Sequence, residues 1–533
     1  DWSSDVCSSD LEQDNRHFAR MAYLPLFEPT TPQEAYEMFV DAAQLARAEA
    51  TAVLFRMTTH VCHAKELVEL RALPDTPPGD ASEFVKDPSL YVPVAKAVLP
   101  MKRRALERMD RLAAYAETSR HQRLEPAGSG PASSRSGPAS SRSRPTSPRG
   151  IIASGLPALG VREVGAACPM PFDLLVLGFS HPLPKKRIAD FLRAHEEVLV
   201  VEELDRVLEQ EVKTIAFDAA IDVRLRSREG ADELVDEYGA DRVRALLHRV
   251  WPDLELPASP RREMAAGQPA GASGLPEPVP RIPQMCPGCG HRSAFFAISK
   301  ALSPETVTVA DIGCHTMGFE RPHRLGDVLL SMGHSTATAA GIALRKNGPK
   351  PVAFVGDSTM IHAALPAIAD AAVHDHAVTL ILLENGTTAM TGHQPRTGSG
   401  EVGGKLDVKR ILESLGVAFL RDVDAYQQAK LTEMVREAQA HPGFAVVIAR
   451  HPCMLRMMRE TRRRRPGFKV RPVAIDPEAC DRLYTCLREF GCPTFVYQED
   501  GSVSVEEDLC IGDGSCLQTC PVSAIGRPQR GDA

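Results

Sequence analysis

Two polar residues stand where neighbouring hydrophobic segments end in the middle of the chain. Asp357 follows a run that begins at Phe354, and Asn385 follows a second run at residues 378–383. The spacing between them has the length of one crossover helix with its turns, so the two strands can lie side by side in a parallel sheet. Open α/β sheets bind ligands at the carboxyl ends of their strands. A carboxylate and an amide oxygen at that edge suit a Mg²⁺ ion that also holds a diphosphate.

A polar loop, Thr387 to Gln394, follows Asn385 and could close over such a diphosphate. The Asp–Asn pair alone has a second interpretation, because both residue types are also ordinary caps of turns. Gly333 and His334 share this ambiguity. They precede an alanine-rich helix at residues 336–344, and they either contact a cofactor or simply begin that helix.

Most of the thirteen cysteines lie in the second half of the chain, between Cys286 and Cys520. Such clustering without a secretory signal favours metal or iron–sulfur ligation over disulfide bonds. Cys286 and Cys289 form a CxxC pair, which can hold zinc, act as a redox dithiol or ligate an iron–sulfur cluster. A zinc site needs a second nearby CxxC or a histidine pair. The sequence instead offers the single residues Cys314 and Cys453.

The C-terminal segment carries two imperfect copies of the bacterial ferredoxin run C-x2-C-x2-C-x3-C-P. In the second copy, Cys510, Cys516 and Cys520 stand at three of the cysteine positions, and Asp513 stands at the remaining one. Because a carboxylate oxygen can also bind iron, Asp513 is a candidate fourth ligand.

The first copy has Cys480, Cys486 and Cys492, with Leu483 where a cysteine belongs and two additional residues before Cys492. In such runs the last cysteine serves the other cluster. Crossed ligation therefore predicts one site from Cys480, Cys486 and Cys520, and another from Cys510, Cys516, Cys492 and Asp513. Because Leu483 cannot ligate iron, we expect 3Fe-4S clusters or 4Fe-4S clusters with one labile corner.

Hydrophobic patterning divides the chain into α/β segments that must position these residues. Residues 12–125 resemble the end of an α/β domain, with helical periodicity from Thr31 to Ala50. Glu202 and Glu203, at the end of a predicted strand, are interpreted as solvated or capping residues. The remaining predicted segments are a disordered Ser/Pro/Arg linker at 126–150, an α/β unit at 151–255, a Pro-rich linker at 256–283, a large α/β domain at 284–470 and a small cysteine-rich domain at 471–526.

The composition is that of an ordinary globular protein, with 43% hydrophobic and 25% charged residues. A net charge of −7 gives no broad basic surface for nucleic acid or anionic lipid. The sequence has no apolar run of membrane-spanning length and no secretory signal, so we expect a cytoplasmic protein.

The motifs CPGCGH, ADIGCHTMG and TTAMTGHQP, with the FGCP and CPVSAI ends of the tail, resemble the 2-oxoacid:ferredoxin oxidoreductases. Within that group, the order of segments is similar to the alpha subunits that act on indolepyruvate. The resemblance implies a multidomain α/β fold of doubly wound, transketolase-like parallel sheets. Its implied parts are the C-terminal part of a pyrimidine-binding domain at 12–125, a transketolase-C-like domain at 151–255, a thiamine-diphosphate-binding domain at 284–470 and a ferredoxin-like α+β domain at 471–526.

By the same resemblance, Asp357, Asn385 and the carbonyl of Thr387 hold Mg²⁺, as in thiamine enzymes that carry a GDG motif before a distant Asn. Ser358 stands where those enzymes have the last glycine of that motif. The implied cofactor contacts are Gly356, Asp357, Ser358, Asn385, Thr387, Gly333 and His334. One 4Fe-4S cluster beside the thiamine is implied at Cys286, Cys289, Cys314 and Cys453.

The implied reaction is oxidative decarboxylation of an aryl 2-oxoacid to its coenzyme A thioester, with electrons passed through the clusters to ferredoxin. A smaller partner subunit is also implied, and therefore a hetero-oligomer that binds neither nucleic acid nor membrane. Three alternatives stay open: a pyruvate or 2-oxoglutarate ferredoxin oxidoreductase, a non-redox thiamine decarboxylase, and an iron–sulfur electron-transfer subunit. The cysteines argue against the second, and the Asp–Asn pair argues against the third.

The first eleven residues, DWSSDVCSSDL, resemble a translated sequencing adapter, and we expect residues 1–11 to be foreign to the fold. An expression tag is the other interpretation. The activating glutamate of the family precedes the text that corresponds to Glu12, so we assign no catalytic residue. We therefore expect this chain, expressed alone, to be inactive.

Overall fold

The computed structural model describes residues 13–71, 87–92, 97–127, 147–166, 172–256, 283–345 and 348–527. These residues form two compact units, one within residues 12–277 and the other within residues 278–533. The predictions for residues 1–11, and for the greater part of both linkers (128–146 and 257–282), lie outside the described residues.

The first unit contains a five-stranded sheet and a smaller three-stranded sheet. Its strands are β1 (Leu26–Phe27), β2 (Leu54–Phe55), β3 (Gln122–Glu125), β4 (Arg149–Ala153), β5 (Asp173–Leu177), β6 (Phe179–His181), β7 (Glu197–Val201) and β8 (Arg224–Arg226). The larger sheet has the order β3-β5-β4-β7-β8, and the smaller has the order β2-β1-β6. Strands β5, β4, β7 and β8 run parallel, whereas β3 is antiparallel to β5.

Helices cover both faces of the larger sheet in the first unit. Those of this unit are α1 (Arg16–Ala22), α2 (Pro32–Glu49), α3 (Thr59–His63), α4 (Pro88–Tyr91), α5 (Val98–Thr118), α6 (Leu156–Ala166), α7 (Lys185–Arg193), α8 (Val207–Asp218) and α9 (Ala240–Val250). Helices α6 and α9 bury their apolar sides against one face, and α7 and α8 against the other. Helix α2 begins after Thr31, whose side chain accepts a hydrogen bond from the Glu34 main chain at 3.2 Å.

The segments predicted as two domains, 12–125 and 151–255, contribute to both sheets of this unit. Strand β3 belongs to the first segment, yet it pairs with β5 of the second. Strand β6 belongs to the second segment and pairs with β1 of the first. The antiparallel additions at the sheet edges give no signal in the sequence, because a short edge strand has no distinctive period.

Glu202 and Glu203 follow β7 and are buried, so of the two interpretations, solvated or capping, the solvated one is wrong. Glu202 accepts hydrogen bonds from the main-chain N–H groups of Leu208 at 2.7 Å and Glu209 at 2.8 Å. It therefore caps the first turn of α8, where main-chain donors have no helical partner. Arg16 donates to Glu202 Oε2 at 2.7 Å and compensates its buried charge.

The second unit is built on a five-stranded parallel sheet with the order β12-β13-β11-β10-β9. Its strands are β9 (Thr308–Val309), β10 (Val352–Gly356), β11 (Thr379–Glu384), β12 (Phe419–Asp424) and β13 (Ala445–Arg450). Strands β10, β11 and β13 are apolar along almost their whole length and are buried on both faces. This is the pattern of a parallel sheet with helices on two sides, and it confirms the predicted doubly wound α/β class.

Helices pack on each face of this parallel sheet. They are α10 (Gly290–Ser299), α11 (Ser335–Ala343), α12 (Asp357–Thr359, a π-helical turn Met360–Ala364, and Leu365–Val373), α13 (Val408–Ser414), α14 (Gln428–Ala440) and α15 (Met454–Arg464). Helices α10 and α14 cover one face, and α11, α12 and α13 cover the other. None of the described helices is both long enough and apolar enough to cross a lipid bilayer.

The tail is a small α+β segment, as expected for a ferredoxin-like domain. Its pieces are β14 (Ala474–Ile475), the helical turn Cys486–Phe490, β15 (Phe495–Tyr497), β16 (Val503–Val505), the helical turn Ser515–Gln518 and β17 (Ile525–Gly526). Strand β14 pairs with β17, and β15 pairs with β16. Three cysteines, Cys492, Cys510 and Cys516, belong to its small buried core. A core of this size depends on ligation for much of its stability.

Replacing Arg16 with Met is expected to lower the free energy of unfolding of the first unit by about 3 kcal/mol or more. The reason is that Asp14 and Glu202, both buried, would lose the cation that pairs with them. Trp251 is buried in this unit, and the other tryptophan is Trp2. Urea unfolding followed by fluorescence in a Trp2→Phe background therefore measures the loss.

Arg20→Met is the matched control for this measurement. Arg20 pairs with Glu211 at 2.9 Å, but its side chain is 44% exposed, so its loss should change the free energy of unfolding by less than about 1 kcal/mol. Equal losses in the two variants would contradict the role assigned to the buried pair.

Candidate functional site

The structure brings Asp357 and Asn385 to the same carboxyl edge of the parallel sheet. Strands β10 and β11 pair in register, with Gly356 opposite Leu383. Asp357 begins α12 directly after β10, and Asn385 follows the last residue of β11. The main-chain N–H of Gly386 donates to Asp357 Oδ2 at 2.8 Å and joins the two strand ends.

Arg396 stands at the Asp357 carboxylate, which the sequence analysis did not anticipate. Its Nε lies 3.0 Å from Asp357 Oδ2, and its Nη2 donates to Glu384 Oε1 at 3.1 Å. Burial raises the pKa of Asp357 to about 6, against the opposing effects of the Gly386 N–H and the Arg396 guanidinium. A buried carboxylate that one guanidinium does not fully compensate is suited to a divalent cation, so the residues present fit Mg²⁺.

The polar loop after Asn385 is held to the start of α12. Thr387 Oγ1 donates to the carbonyl of Gln394 at 2.9 Å, and Thr388 N donates to the same carbonyl at 3.0 Å. The Ser358 and Thr388 hydroxyls lie 2.6 Å apart and share a hydrogen bond. The serine at this position therefore has a structural use, because its hydroxyl fastens the loop over the strand ends.

Gly333 and His334 lie beside a buried aspartate, Asp311, that the sequence analysis did not single out. Asp311 Oδ1 accepts from the Gly333 N–H at 2.9 Å. Gly333 has a φ of +89°, and a Cβ there would lie 2.5 Å from the Cβ of Ala363, so the close packing requires glycine. His334 accepts from Leu330 N at 2.9 Å and bonds to a threonine one turn later in α11 at 2.9 Å. Both ring nitrogens are used locally, which favours the helix-start interpretation of His334.

Two buried histidines, His291 and His315, lie next to these strand ends. Their ring centroids are 6.0 Å apart. Among the described residues, neither ring nitrogen of His291 has a hydrogen-bond partner. The Nε2 of His315 also has none among them. Burial lowers the pKa of His291 to about 4 and that of His315 to about 3, so both rings are neutral. A Cβ on Gly356 would lie 3.1 Å from His315 Cε1, which places this ring at the end of β10.

The cysteines implied to hold the first cluster lie around the same strand ends. Cys289 directly precedes α10, and Cys314 begins the 3₁₀-helical turn Cys314–Phe319. Cys453 directly precedes α15, and its main-chain N–H donates to the carbonyl of Asn385 at 3.1 Å. The thiol-bearing turn and the strand end that carries Asn385 are therefore directly connected.

The same cysteines are close enough to influence one another electrostatically. Burial raises the pKa of Cys289 to about 11. Burial, followed by the Cys453 thiol, also raises the pKa of Cys286. Burial, followed by Cys289, Cys286 and Cys453, does the same to Cys314. Buried thiols with a raised pKa stay protonated until a metal displaces the proton, so this donor set fits a bound metal centre.

Within the described residues, no three of these thiols lie as close together as a single zinc ion requires. Four sulfurs at 2.3 Å from zinc lie about 3.8 Å apart in a tetrahedron. Among the described residues, the sets of three potential ligand atoms within 4.8 Å of one another are Asp370, His374 and His376, and Asp14, His17 and Asp205. Neither set contains a cysteine, whereas a polynuclear iron–sulfur cluster needs wider spacing.

The tail brings its cysteines together in the two crossed groups. Burial raises the pKa of Cys486, and the thiols of Cys480 and Cys520 add to it. Leu483 is 61% exposed and offers that group no ligand atom.

The other group contains Cys516 together with Asp513, Cys492 and Cys510. Burial raises the pKa of Cys516, followed by the effects of Asp513, Cys492 and Cys510. The interleaving of the two runs therefore follows from the fold of the tail.

The CPGC turn at residues 286–289 packs directly against the tail. A Cβ on Gly288 would lie 2.3 Å from Ile511 Cδ1 and 3.1 Å from Asp513 Cγ, so only glycine permits this contact. Tyr426 Oη donates to the Gly288 carbonyl at 2.7 Å, and burial raises the pKa of this phenol. Gln428 donates to the carbonyl of Ser515 at 3.0 Å. The group containing Asp513 is therefore the one that faces the CPGC turn.

Comparison with known proteins agrees with this geometry. The C-terminal TPP-binding domain of thiamine pyrophosphate enzymes matches residues 311–449, the stretch that carries Asp311, Asp357 and Asn385. The 4Fe-4S binding domain matches residues 503–526, which include the second ferredoxin run.

Two curated relatives extend along nearly the whole chain. The indolepyruvate oxidoreductase subunit IorA of Methanothermobacter marburgensis is 35% identical over 97% of this chain and 79% of that protein. The subunit of the same name from Methanothermobacter thermautotrophicus is 33% identical over 97% of this chain and 79% of that protein. The chain belongs to the IorA family of indolepyruvate oxidoreductase subunits. It is an oxidoreductase subunit that uses thiamine diphosphate and iron–sulfur clusters, which confirms the family and these two kinds of cofactor expected from the sequence motifs.

A solved structure of a 2-oxoglutarate:ferredoxin oxidoreductase from Magnetococcus marinus, with 2-oxoglutarate, coenzyme A and succinyl-CoA bound, is also similar. It is 20% identical, covers 33% of this chain and 66% of that chain, and superposes with a TM-score of 0.29. Membership of the IorA family rests on the curated relatives.

Replacing Asp357 with Ala is expected to weaken Mg²⁺-dependent binding of thiamine diphosphate by about 100-fold or more, because loss of an outer partner of a metal ligand alone costs 10–100-fold. Asp370→Ala is the control, since Asp370 is an exposed carboxylate on the same helix. Titration calorimetry of the anaerobic full chain with the cofactor at fixed Mg²⁺ measures both. Affinity of Asp357→Ala within threefold of the unmodified chain would show that the metal lies elsewhere.

Proposed function

We propose that this chain, together with a smaller partner subunit, catalyses the oxidative decarboxylation of aryl pyruvates to coenzyme A thioesters and passes the electrons to ferredoxin. The observation that carries the proposal is the hydrogen bond from Cys453 N to the Asn385 carbonyl at 3.1 Å. It connects a thiol of the first cysteine group to a strand end of the diphosphate site. A non-redox thiamine enzyme has no use for that connection, and an electron-transfer scaffold has no use for Asp357.

The chain's own residues supply placement at the diphosphate site. Asp357, Asn385 and the carbonyl of Thr387 would hold Mg²⁺, and Arg396 keeps the Asp357 carboxylate aligned through its bridge to Glu384. When bound, thiamine diphosphate supplies the carbon nucleophile and the electron sink for decarboxylation. The bond between the Ser358 and Thr388 hydroxyls keeps the polar loop over this edge and limits the access of water.

Three groups of ligands would provide the electron path. The first is Cys286, Cys289, Cys314 and Cys453; the second is Cys492, Cys510, Asp513 and Cys516; the third is Cys480, Cys486 and Cys520. The contact of Gly288 with Ile511 and Asp513 supports a transfer from the first group to the second. The third group, in which Cys480 and Cys486 are less buried than the second group's cysteines, is then the exit to ferredoxin.

The aryl preference is supported by the names of the curated relatives, indolepyruvate oxidoreductase subunits. Pyruvate or 2-oxoglutarate oxidation is the second candidate. A 2-oxoglutarate synthase subunit KorB of Archaeoglobus fulgidus favours it to a smaller extent, being 26% identical over 30% of this chain. Coenzyme A and ferredoxin belong to the proposal for either substrate.

Replacing Cys453 with Ser is expected to remove most of one cluster, about four iron atoms per chain, because one thiolate ligand of that cluster is lost. Iron and acid-labile sulfide assays on the anaerobically purified full chain measure the loss. Cys62→Ser is the control, since Cys62 is exposed and lies in the first unit. Unchanged iron in Cys453→Ser would remove this residue from the ligand set.

The substrate proposal is tested on the full enzyme, with the chain co-expressed with its smaller subunit under anaerobic conditions. We expect kcat/KM for coenzyme A-dependent ferredoxin reduction to be at least about tenfold higher with indolepyruvate than with pyruvate or 2-oxoglutarate, a difference that a shaped pocket readily supplies. Equal or higher values with pyruvate or 2-oxoglutarate would replace the aryl assignment by the second candidate.

A further inference from the structure

Arg292, in the first turn of α10, is a buried cation without a carboxylate partner. Only 3% of the surface of Arg292 is exposed. Within the part of the chain that the structure describes, no Asp or Glu oxygen lies within 4.0 Å of its guanidinium, and its Nε has no hydrogen-bond partner. Arg16 is buried to a similar degree, but it is paired with Asp14 and Glu202. The environment of Arg292 therefore differs from that of an ordinary buried arginine.

The partners of Arg292 are main-chain carbonyls that adjoin two different cysteine groups. Its Nη2 donates to the carbonyl of Met285, the residue before Cys286. Its Nη1 donates to the carbonyl of Gly491, the residue before Cys492, and to that of Phe490 at 3.4 Å. The guanidinium thus spans the junction between the first group and the tail group that contains Cys492.

The open side of Arg292 offers no counter-ion either. A cavity of about 800 Å³ borders it, and the residues that line this cavity include no aspartate or glutamate. They include three further arginines, Arg321, Arg324 and Arg488. The side chains that line this cavity add positive charge around the guanidinium rather than compensating it.

The negative charge that balances Arg292 must come from the cysteine groups. Leaving an unpaired cation buried costs several kcal/mol, a penalty that only nearby negative charge can offset. Burial lowers the pKa of Arg292, and the effects that oppose this come from Cys492, Cys289 and Cys286, with Asp513 after them. Asp513 contributes part of the negative charge, but its effect on Arg292 comes after those of the three cysteines. Thiolates that hold iron–sulfur clusters carry the missing charge.

We propose that Arg292 is a positioning residue shared by two clusters. The positive charge of its guanidinium sets the reduction potentials of both clusters. The inference rests on the ligand groups proposed above. When a cluster accepts one electron its negative charge increases by one, with no bond made or broken, and a fixed cation between the two groups stabilises that reduced form. Arg292 therefore makes both clusters easier to reduce.

The test compares two variants that separate charge from hydrogen bonding. Arg292→Gln keeps N–H donors and removes the charge, whereas Arg292→Lys keeps the charge on a different donor geometry. In an EPR-monitored redox titration of the anaerobic full chain, we expect Arg292→Gln to change the ratio of reduced to oxidised cluster at a fixed potential at least tenfold toward oxidised. For a one-electron couple this is a shift of about 59 mV to more negative potential, in both clusters. Arg292→Lys should keep the potentials of both clusters close to those of the unmodified chain.

Arg436→Gln is the matched control, because Arg436 donates to the Lys300 carbonyl at 2.9 Å on the exposed side of α14. It should leave both potentials unchanged. If Arg292→Gln loses the tail cluster, the shift in the potential of the first cluster alone tests the proposed role of Arg292. Unchanged potentials in Arg292→Gln, equal shifts in the Gln and Lys variants, or loss of both clusters from both variants would overturn the inference. Absence of iron from the unmodified chain would instead contradict the ligand groups themselves.

Discussion

The parallel direction of the strands in the second unit is the constraint on which its chemistry depends. Since β10, β11 and β13 run the same way, the residues that follow them collect at one edge of the sheet. Asp357, Asn385 and Cys453 each follow one of these strands, by one to three residues. The residues proposed for the diphosphate site and a cysteine proposed as a cluster ligand are therefore brought together by topology. The helices that begin there present the remaining side chains.

Buried charge is the second organising feature of this unit. Arg396 faces the Asp357 carboxylate, and Arg292 lies between two cysteine groups. Each cation lies beside a group that is proposed to bind a metal centre. Asp357 keeps a raised pKa despite Arg396, and the buried thiols keep theirs despite Arg292. The apo protein thus holds its ligands neutral or weakly paired, and loading exchanges protons for metal charge.

The sequence predicted what local pattern determines, and it missed what depends on long-range contacts. Strand-end residues such as Asp357 and Asn385 were visible because hydrophobic runs and their spacing encode a parallel sheet. The fold class was predicted correctly on that basis, whereas thiamine diphosphate and the iron–sulfur clusters were predicted correctly from the motifs and the family that they resemble. Arg396 and Arg292 carry no local signal, since their partners are set by loop conformations and by packing of the tail. The burial of Glu202 was missed for the same reason, because its partner Arg16 is distant in sequence.

We propose that three iron–sulfur groups extend from the diphosphate edge into the tail. Anomalous diffraction at the iron edge, from crystals of the anaerobic full chain with Mg²⁺ and thiamine diphosphate, locates them. We expect three iron-rich peaks, one among Cys286, Cys289, Cys314 and Cys453 and two within the tail. A single zinc-edge peak at the CPGC turn, or no iron beside Asn385, would contradict it.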